Sequence, residues 1–269
     1  MQTPAAQASR IQLSLIQARQ THRLHRVNML EPGICRINKG TKRVFLGEQS
    51  VAIHTGQWLL LPAHTPLDVE NEPGPQGYFA QMLNFESSLI SEFYQQYAQH
   101  LPKTTQQFGL QQWRIEQNVR LDITWQRLLQ SLAEQEAPLL QKHLLYELLL
   151  VLGLSGQLWQ LLDHSDTKLS MRIQQLLISD PAASWSQDTV AQHFHMSSPT
   201  LRRHLSAEGQ TFRSILNSVR MAHALGHLQT TRQSIEDIAH ACGYTSASRF
   251  SSRFREQFGL SPKALRKAI

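Results

Sequence analysis

The sequence runs to 269 residues, carries a formal net charge of +6 and contains two cysteines, Cys35 and Cys242. Two cysteines exclude a disulfide framework, and the most apolar run, 144–154, is shorter than a bilayer span and is interrupted by Glu147, which excludes a membrane protein; no apolar signal segment lies near Met1, so a reducing cytoplasm is the expected compartment. From Thr167 onward thirteen lysines and arginines stand against six acids, whereas the residues before it carry thirteen against fourteen, so the positive excess that a phosphate-bearing partner requires is confined to the C-terminal part.

The length accommodates two domains. Residues 10–84 are expected to form short strands. Ile11, Leu13 and Leu15 alternate with polar neighbours, and 33–38 and 41–46 flank Lys39-Gly40, which reads as a two-residue hairpin turn. Further strands are expected at 50–53, 57–61, 67–70 and 78–84, separated by Thr55-Gly56, Pro62, Pro66 and the turn-rich stretch 71–77. Many short strands with frequent turns predict a small barrel or jelly roll. Alternation puts Ile34, Ile37, Phe45, Val51, Ile53, Leu59, Leu61, Phe79, Met82 and Phe85 in its interior.

From 87 to 163 the spacing turns helical, with helices expected at 89–100, 118–134 and 137 to about 162. The last places Leu140, Leu144, Leu148 and Leu152 on one stripe, with Leu145 and Leu149 beside it. Part of this face covers the barrel. The stripe also suits packing against a second subunit, with purely intramolecular packing as the alternative. Residues 164–168 read as a linker, and 169–179 as a helix stopped at Asp180-Pro181.

The remaining chain holds two copies of one pattern, 48 positions apart between Ala191 and Ala239. In the second copy Ser234 caps a short helix with Glu236 and Asp237 in its first turn, and Gly243 redirects the chain. Phe250, Phe254 and Phe258 then recur every four residues and anchor a second helix from behind. Its other side carries Ser248, Ser252 and Arg255, flanked by Arg249 and Ser251. In the first copy Leu201 and Leu205 point inward, while Pro199, Thr200, Arg202, Arg203 and Ser206 face out. A solvated basic face would look the same in one copy alone. Two copies joined by a rod from about 211 to 229, with Phe212, Ile215, Leu216, Val219, Ala222 and Leu225 at helical spacing, instead predict paired recognition helices reaching successive major grooves if they sit about 34 Å apart.

The motifs Trp-Ser-x-x-x-Val-Ala at 185–191, Met-Ser-x-x-x-Leu-x-Arg at 196–203, Arg-Met-x-x-Ala at 220–224, Ile-Ala-x-x-Cys-Gly-Tyr-x-Ser from Ile238 and Phe-Gly-x-Ser-Pro from Phe258 resemble the DNA-binding domain of the AraC/XylS family of bacterial transcription regulators. The stretch Gly-Gln-Trp-Leu-Leu-Leu-Pro-Ala-His-Thr-Pro at 56–66 resembles the cupin-like sensor domain that many members carry. The resemblance implies an α+β chain of two domains: a cupin-like barrel or jelly roll followed by helices, for effector sensing and dimerisation (1–163), then the linker (164–168) and an all-α domain with two helix-turn-helix motifs on a connecting helix (169–269).

It also implies double-stranded promoter DNA and RNA polymerase as partners, a homodimer, and activation by family habit. DNA contacts are expected from Ser198, Pro199, Thr200, Arg202 and Arg203 in the first unit and from Ala247, Ser248, Arg249, Ser252 and Arg255 in the second. Relatives often have arginine where Ser252 stands, which implies weaker direct readout there. An effector, a fatty acid or another metabolite, is expected in a pocket at Arg36, Phe45, Ile53, Leu59, Leu61 and Phe79, where Arg36, Lys42 or Arg43 would pair with a ligand carboxylate. Cupin enzymes bind metal through closely spaced histidines and a carboxylate, a set that His54 and His64 do not supply, and His193-Phe-His195 lies at the end of a leading helix. No metal, cofactor or catalysis is expected. Two other readings stay open: an N-terminal half that serves only dimerisation and protein interaction, and a metal-dependent cupin enzyme with a DNA-binding appendage.

Overall fold

The computed structural model describes residues 11–102, 109–116, 118–158, 161 and 168–269. Nine strands are found among them: β1 (Ile11–Ala18), β2 (His22–Val27), β3 (Gly33–Lys39), β4 (Thr41–Leu46), β5 (Gln49–His54), β6 (Trp58–Leu61), β7 (Leu67–Glu72), β8 (Tyr78–Phe85) and β9 (Arg114–Ile115). They build two antiparallel sheets, ordered β1-β8-β3-β6-β9 and β2-β7-β4-β5. The sheets enclose Cys35, Ile37, Val44, Val51, Ile53, Leu59, Leu61, Ala80 and Met82.

Lys39-Gly40 is not a hairpin. β3 and β4 lie in different sheets, and the real two-residue hairpin is Gly47-Glu48, where Leu46 faces Gln49. Gly40 has φ +78°, and a Cβ on it would stand 2.6 Å from the Glu72 carbonyl and 3.0 Å from the Tyr78 ring, so this glycine makes a corner between sheets. Alternation also misplaces four interior residues. Ile34 and Phe85 face the far side of the five-stranded sheet, and Phe45 and Phe79 belong to neither core; the Arg23 guanidinium lies 3.9 Å over the Phe45 ring. A sheet buried on both faces loses the apolar-in, polar-out contrast on which alternation depends.

That far side is covered by α1 (Ser87–Tyr97), α2 (Val119–Ala133) and α3 (Pro138–Leu154). Trp58 and Trp125 meet edge to face at 4.8 Å, and Trp125 donates to Gln81. Leu144, Leu148 and Leu152 are buried in this core, so the leucine stripe does not form a dimer face; only Leu140, 43% exposed, remains outside. α3 ends at Leu154, short of the expected 162, ahead of Gly156 in the left-handed region.

Residues 164–167 of the expected linker lie outside the described residues. Beyond them come α4 (Leu169–Ile178), α5 (Gln187–His193), α6 (Ser198–Ala207), α7 (Phe212–Thr230), α8 (Ile235–Ala241), α9 (Ala247–Phe258) and α10 (Pro262–Ala268). Side-chain caps open every helix from α5 to α10: Ser186, Ser197, Thr211, Ser234, Ser246 and Ser261 each accept a backbone N–H, contributing about 1 kcal/mol apiece. α7 serves two cores. Its Ile215 and Val219 join Ile173, Leu177, Val190, Leu201 and Leu205, while Met221, Ala224, Leu225 and Leu228 join Ile238, Cys242 and the three phenylalanines of α9.

The barrel is joined to both cores. Leu24 of β2, 1% exposed, is a member of the second one. Beside it the Arg26 guanidinium donates to the Glu256 carbonyl at 2.5 Å, the Gln257 amide to the Arg26 carbonyl at 3.0 Å, and the Arg19 N–H to the Ala268 carbonyl at 2.7 Å. Asn28 donates to Ser218 on α7 at 3.1 Å, and His64 and Gln174 of α4 meet at 2.9 Å.

Candidate nucleic-acid interface

The two units are built alike down to single contacts. The Met196 N–H donates to the Ala191 carbonyl at 2.9 Å, and the Tyr244 N–H donates to the Ala239 carbonyl at 2.9 Å, each closing the turn of its unit. The turns take left-handed backbone at His195 (φ 54°) and Gly243 (φ 73°). Ala191 and Ala239 are buried where the paired helices cross.

On α6, Pro199, Arg202, Arg203 and Ser206 are exposed over buried Leu201 and Leu205. Ser198 and Thr200 are half-buried and engaged. The Ser198 hydroxyl bonds Asp188 across the turn and Thr200 bonds the capping Ser197, so these two hold the helix start in place. On α9, Ser248, Arg249, Ser252 and Arg255 are exposed, Ala247 is half-buried, and Phe250, Phe254 and Phe258 are buried behind them.

Sequence reading missed two cations here. A cleft of about 530 Å³ beside α9 is lined by Arg213, Ser246, Arg249, Ser252, Arg253 and Glu256, and Arg213 comes from the first turn of α7. Arg253 pairs with Glu256 at 2.7 Å. Arg213 sits outside both repeated motifs, which is why the repeat gives no sign of it. Arg220 works from within: it donates to the carbonyls of Pro181 and Ala183 at 3.0 Å each, and a Cβ on Gly243 would lie 2.6 Å from its guanidinium. Gly243→Ala is therefore expected to destabilise the chain by about 1–2 kcal/mol, from left-handed strain and this clash. An unchanged urea midpoint would contradict that account.

In the barrel, Ile53, Leu59 and Leu61 line the interior as expected, but Arg36, Phe45 and Phe79 do not. Arg36 turns to α2, meeting Asp122 at 2.8 Å and the Trp58 ring at 5.3 Å, because its strand neighbours Cys35 and Ile37 take the inward positions. Arg43 pairs with Glu72. Lys42 is different: it is 5% exposed, and none of the ion pairs among the described residues uses it. Burial holds its amine below the ordinary lysine range. With a folded pKa below the unfolded value of about 10.4, Lys42 weakens the fold most at low pH, and the penalty fades as pH rises between the two values. Lys42→Met is accordingly expected to stabilise the protein by about 1 kcal/mol or more at pH 7. Denaturation across pH 7–10.5 checks this, and a gain that does not shrink toward the alkaline end would refute it. Burial also pushes the Cys242 thiol up to about 12, so it stays protonated. Among the described residues no group of three or more histidines, cysteines or acids converges on a metal position. His54 meets Thr41 at 3.2 Å.

A family model described as the N-terminus of AraC-type transcriptional regulators matches residues 11–158, more than half of the chain, and a helix-turn-helix domain model matches 190–268. The chain belongs to the AraC-type family. Similar AraC-type proteins include the urease operon transcriptional activator of Escherichia coli, 35% identical over 136 residues (50% of this chain, 46% of that protein), and the transcriptional activator RhaS of Enterobacter sp. (strain 638), 32% identical over 160 residues (58% and 57%). Each match spans about half the length of its relative. Among solved structures, unsaturated-fatty-acid-bound ToxT from Vibrio cholerae superposes over 100% of this chain and 98% of that one with a TM-score of 0.64 at 16% identity, which shows a shared fold.

Proposed function

We propose that this AraC-type chain is a sequence-specific regulator, an activator, that reads double-stranded promoter DNA with α6 and α9 and is controlled by a small effector in its N-terminal barrel. One observation carries the reading: both helices are anchored from behind by buried leucine or phenylalanine and expose arginine, hydroxyl and proline on the other side. Arg202, Arg203, Pro199, Ser248, Arg249, Ser252 and Arg255 are the contact set, extended by Arg213 and Arg253 as phosphate contacts. Ser198, Thr200 and Ala247 position the helix starts at the duplex. The relatives are named as activators and regulators, which supports a role without catalysis and contact with RNA polymerase.

ToxT is described with a bound unsaturated fatty acid, which supports an effector-controlled N-terminal domain here, with a fatty acid or another metabolite as ligand. No helix among the described residues is long and apolar enough to cross a membrane, and we place the protein in the cytoplasm. A homodimer is part of the proposal, with exposed Val119, Ile123, Leu139 and Leu140 on α2 and α3 as its apolar surface. Footprinting on the DNA flanking the chain's own gene, repeated across salt concentrations, tests the function. A protected site whose affinity falls steeply with salt is expected; binding that is equal on every sequence would refute specific regulation.

A further inference from the structure

The connecting helix α7 carries His-Ala-Leu-Gly-His at 223–227. Residues four apart lie one above the other on a helix, so the two imidazoles share a face, half-buried beside the residues that α7 sends into the second core. Their Nε2 atoms stand 2.9 Å apart and their ring centroids 4.4 Å apart. One ring is also held from outside the helix. His227 Nδ1 faces the Gln233 carboxamide oxygen at 2.8 Å, which puts the proton on Nδ1 and leaves Nε2 with its lone pair toward His223. Neither histidine belongs to an ion pair among the described residues.

Two histidines four apart on one helix face form a chelating pair for a metal ion. A ligating histidine characteristically donates its other N–H to a fixed oxygen, the part that Gln233 supplies here. The spacing also bears on which ion. Two metal–nitrogen bonds of about 2.0–2.1 Å put their nitrogens about 2.9 Å apart at a right angle and about 3.3 Å apart at the tetrahedral angle. The observed separation suits the right-angled positions of copper(II) and nickel(II) better than the tetrahedron of zinc. No third histidine, cysteine or acid joins the pair among the described residues, so the remaining positions fall to water. Room for it lies beside Gly226, which is exposed and has no atom within 4 Å of where a Cβ would stand.

We propose that His223 and His227 bind one divalent transition-metal ion, copper or nickel ahead of zinc, and that the ion staples α7 across Gly226. A rotation of the rings about χ2 turns the two Nε2 lone pairs from each other onto a common point. His223 then gives up the Nε2 proton and takes the Nδ1 tautomer, so both rings stay neutral. Glycine is among the poorest helix formers, and Gly226 sits inside the rod that carries residues of both helix-turn-helix cores. A clamp from 223 to 227 spans that weak point and stiffens the rod that sets the spacing of α6 and α9. The site lies outside the barrel and does not depend on an effector there.

The test uses the untagged full chain, titrated with copper(II), nickel(II) and zinc(II) sulfates by calorimetry, with hydrogen exchange measured at saturation. One equivalent is expected to bind through the pair, with zinc the weakest of the three, and exchange is expected to slow in α7 around Gly226. His223→Gln and His227→Gln are each expected to weaken that equivalent about a hundredfold or more, because the chelate is lost. Gln233→Ala, an exposed change that leaves both ligands and the fold in place, is expected to weaken it about tenfold. The proposal is overturned if no such equivalent binds, if zinc binds most tightly, or if slowed exchange lies elsewhere than α7. It is equally overturned if the histidine variants or Gln233→Ala bind as the natural chain does, which would assign the ion to other histidines.

Discussion

Phe254→Ala is expected to cost about 3–5 kcal/mol and to unfold the second helix-turn-helix unit selectively. Phe254 is fully buried, with ring centroids 5.8 Å from Phe250 and 4.6 Å from Phe258, so truncation opens a cavity in the middle of a three-ring stack. The loss is a large share of a domain's stability. It does not fall evenly. The first unit's core of Ile173, Leu177, Val190, Leu201, Leu205, Ile215 and Val219 contains no residue of α9, whereas Leu24 of the barrel shares the damaged core. Hydrogen exchange is therefore expected to accelerate in α8, α9, α10 and β2 while α5 and α6 stay protected. Uniform acceleration across both units would show that they unfold as one body, and a loss below about 1 kcal/mol would show that the stack relaxes around the cavity.

How far the sequence could be read follows from how local each signal is. The two units announce themselves within thirty or so positions: a capping serine, acids in the first turn, a small residue at the crossing, and phenylalanine every fourth position all act between near neighbours. The barrel is less legible because its decisive contacts span long separations. β2 reads His-Arg-Leu-His-Arg-Val, too polar to look like a strand, and its Leu24 is buried by helices some two hundred residues downstream. The leucines of α3 have the spacing of a dimer seam, yet α2, Trp58 and Trp125 fill that space within the same chain. Lys42 looks like an ordinary surface cation flanked by Thr41 and Arg43. Only the register of three strands shows that it faces Asn71 inside the barrel.

That register also bears on how a signal would travel. β2 sets His22 opposite Asn71 of β7 and, two residues on, contributes Leu24 to the core behind α9. An effector in the barrel that moved β2 would act on the strand that also holds the second unit. Such coupling requires the ligand to bind one arrangement of the units better than the other. The joint to the first unit runs through Asn28 and Ser218 and through His64 and Gln174, a different set of residues. The two recognition helices are thus tied to the barrel separately, and their relative placement is what occupancy would change.

Replacing Arg202 and Arg203 together by alanine is expected to weaken binding to the specific site by about 2–6 kcal/mol, the sum of two base-reading or charge-assisted contacts at 1–3 kcal/mol each. Both side chains are exposed on α6, and no ion pair among the described residues holds either of them. Their backing residues Leu201 and Leu205 are untouched by the change, so the fold should survive it, and the unfolding free energy should change by less than about 0.5 kcal/mol. The single variants separate the roles. A guanidinium bidentate to guanine loses affinity for the specific site and relaxes specificity at one base pair, whereas a phosphate contact loses equally on all DNA and lowers the salt slope by about one. If the double variant binds its site as tightly as the natural chain, α6 does not enter the groove, and the first unit is a brace for the second rather than a reader of sequence.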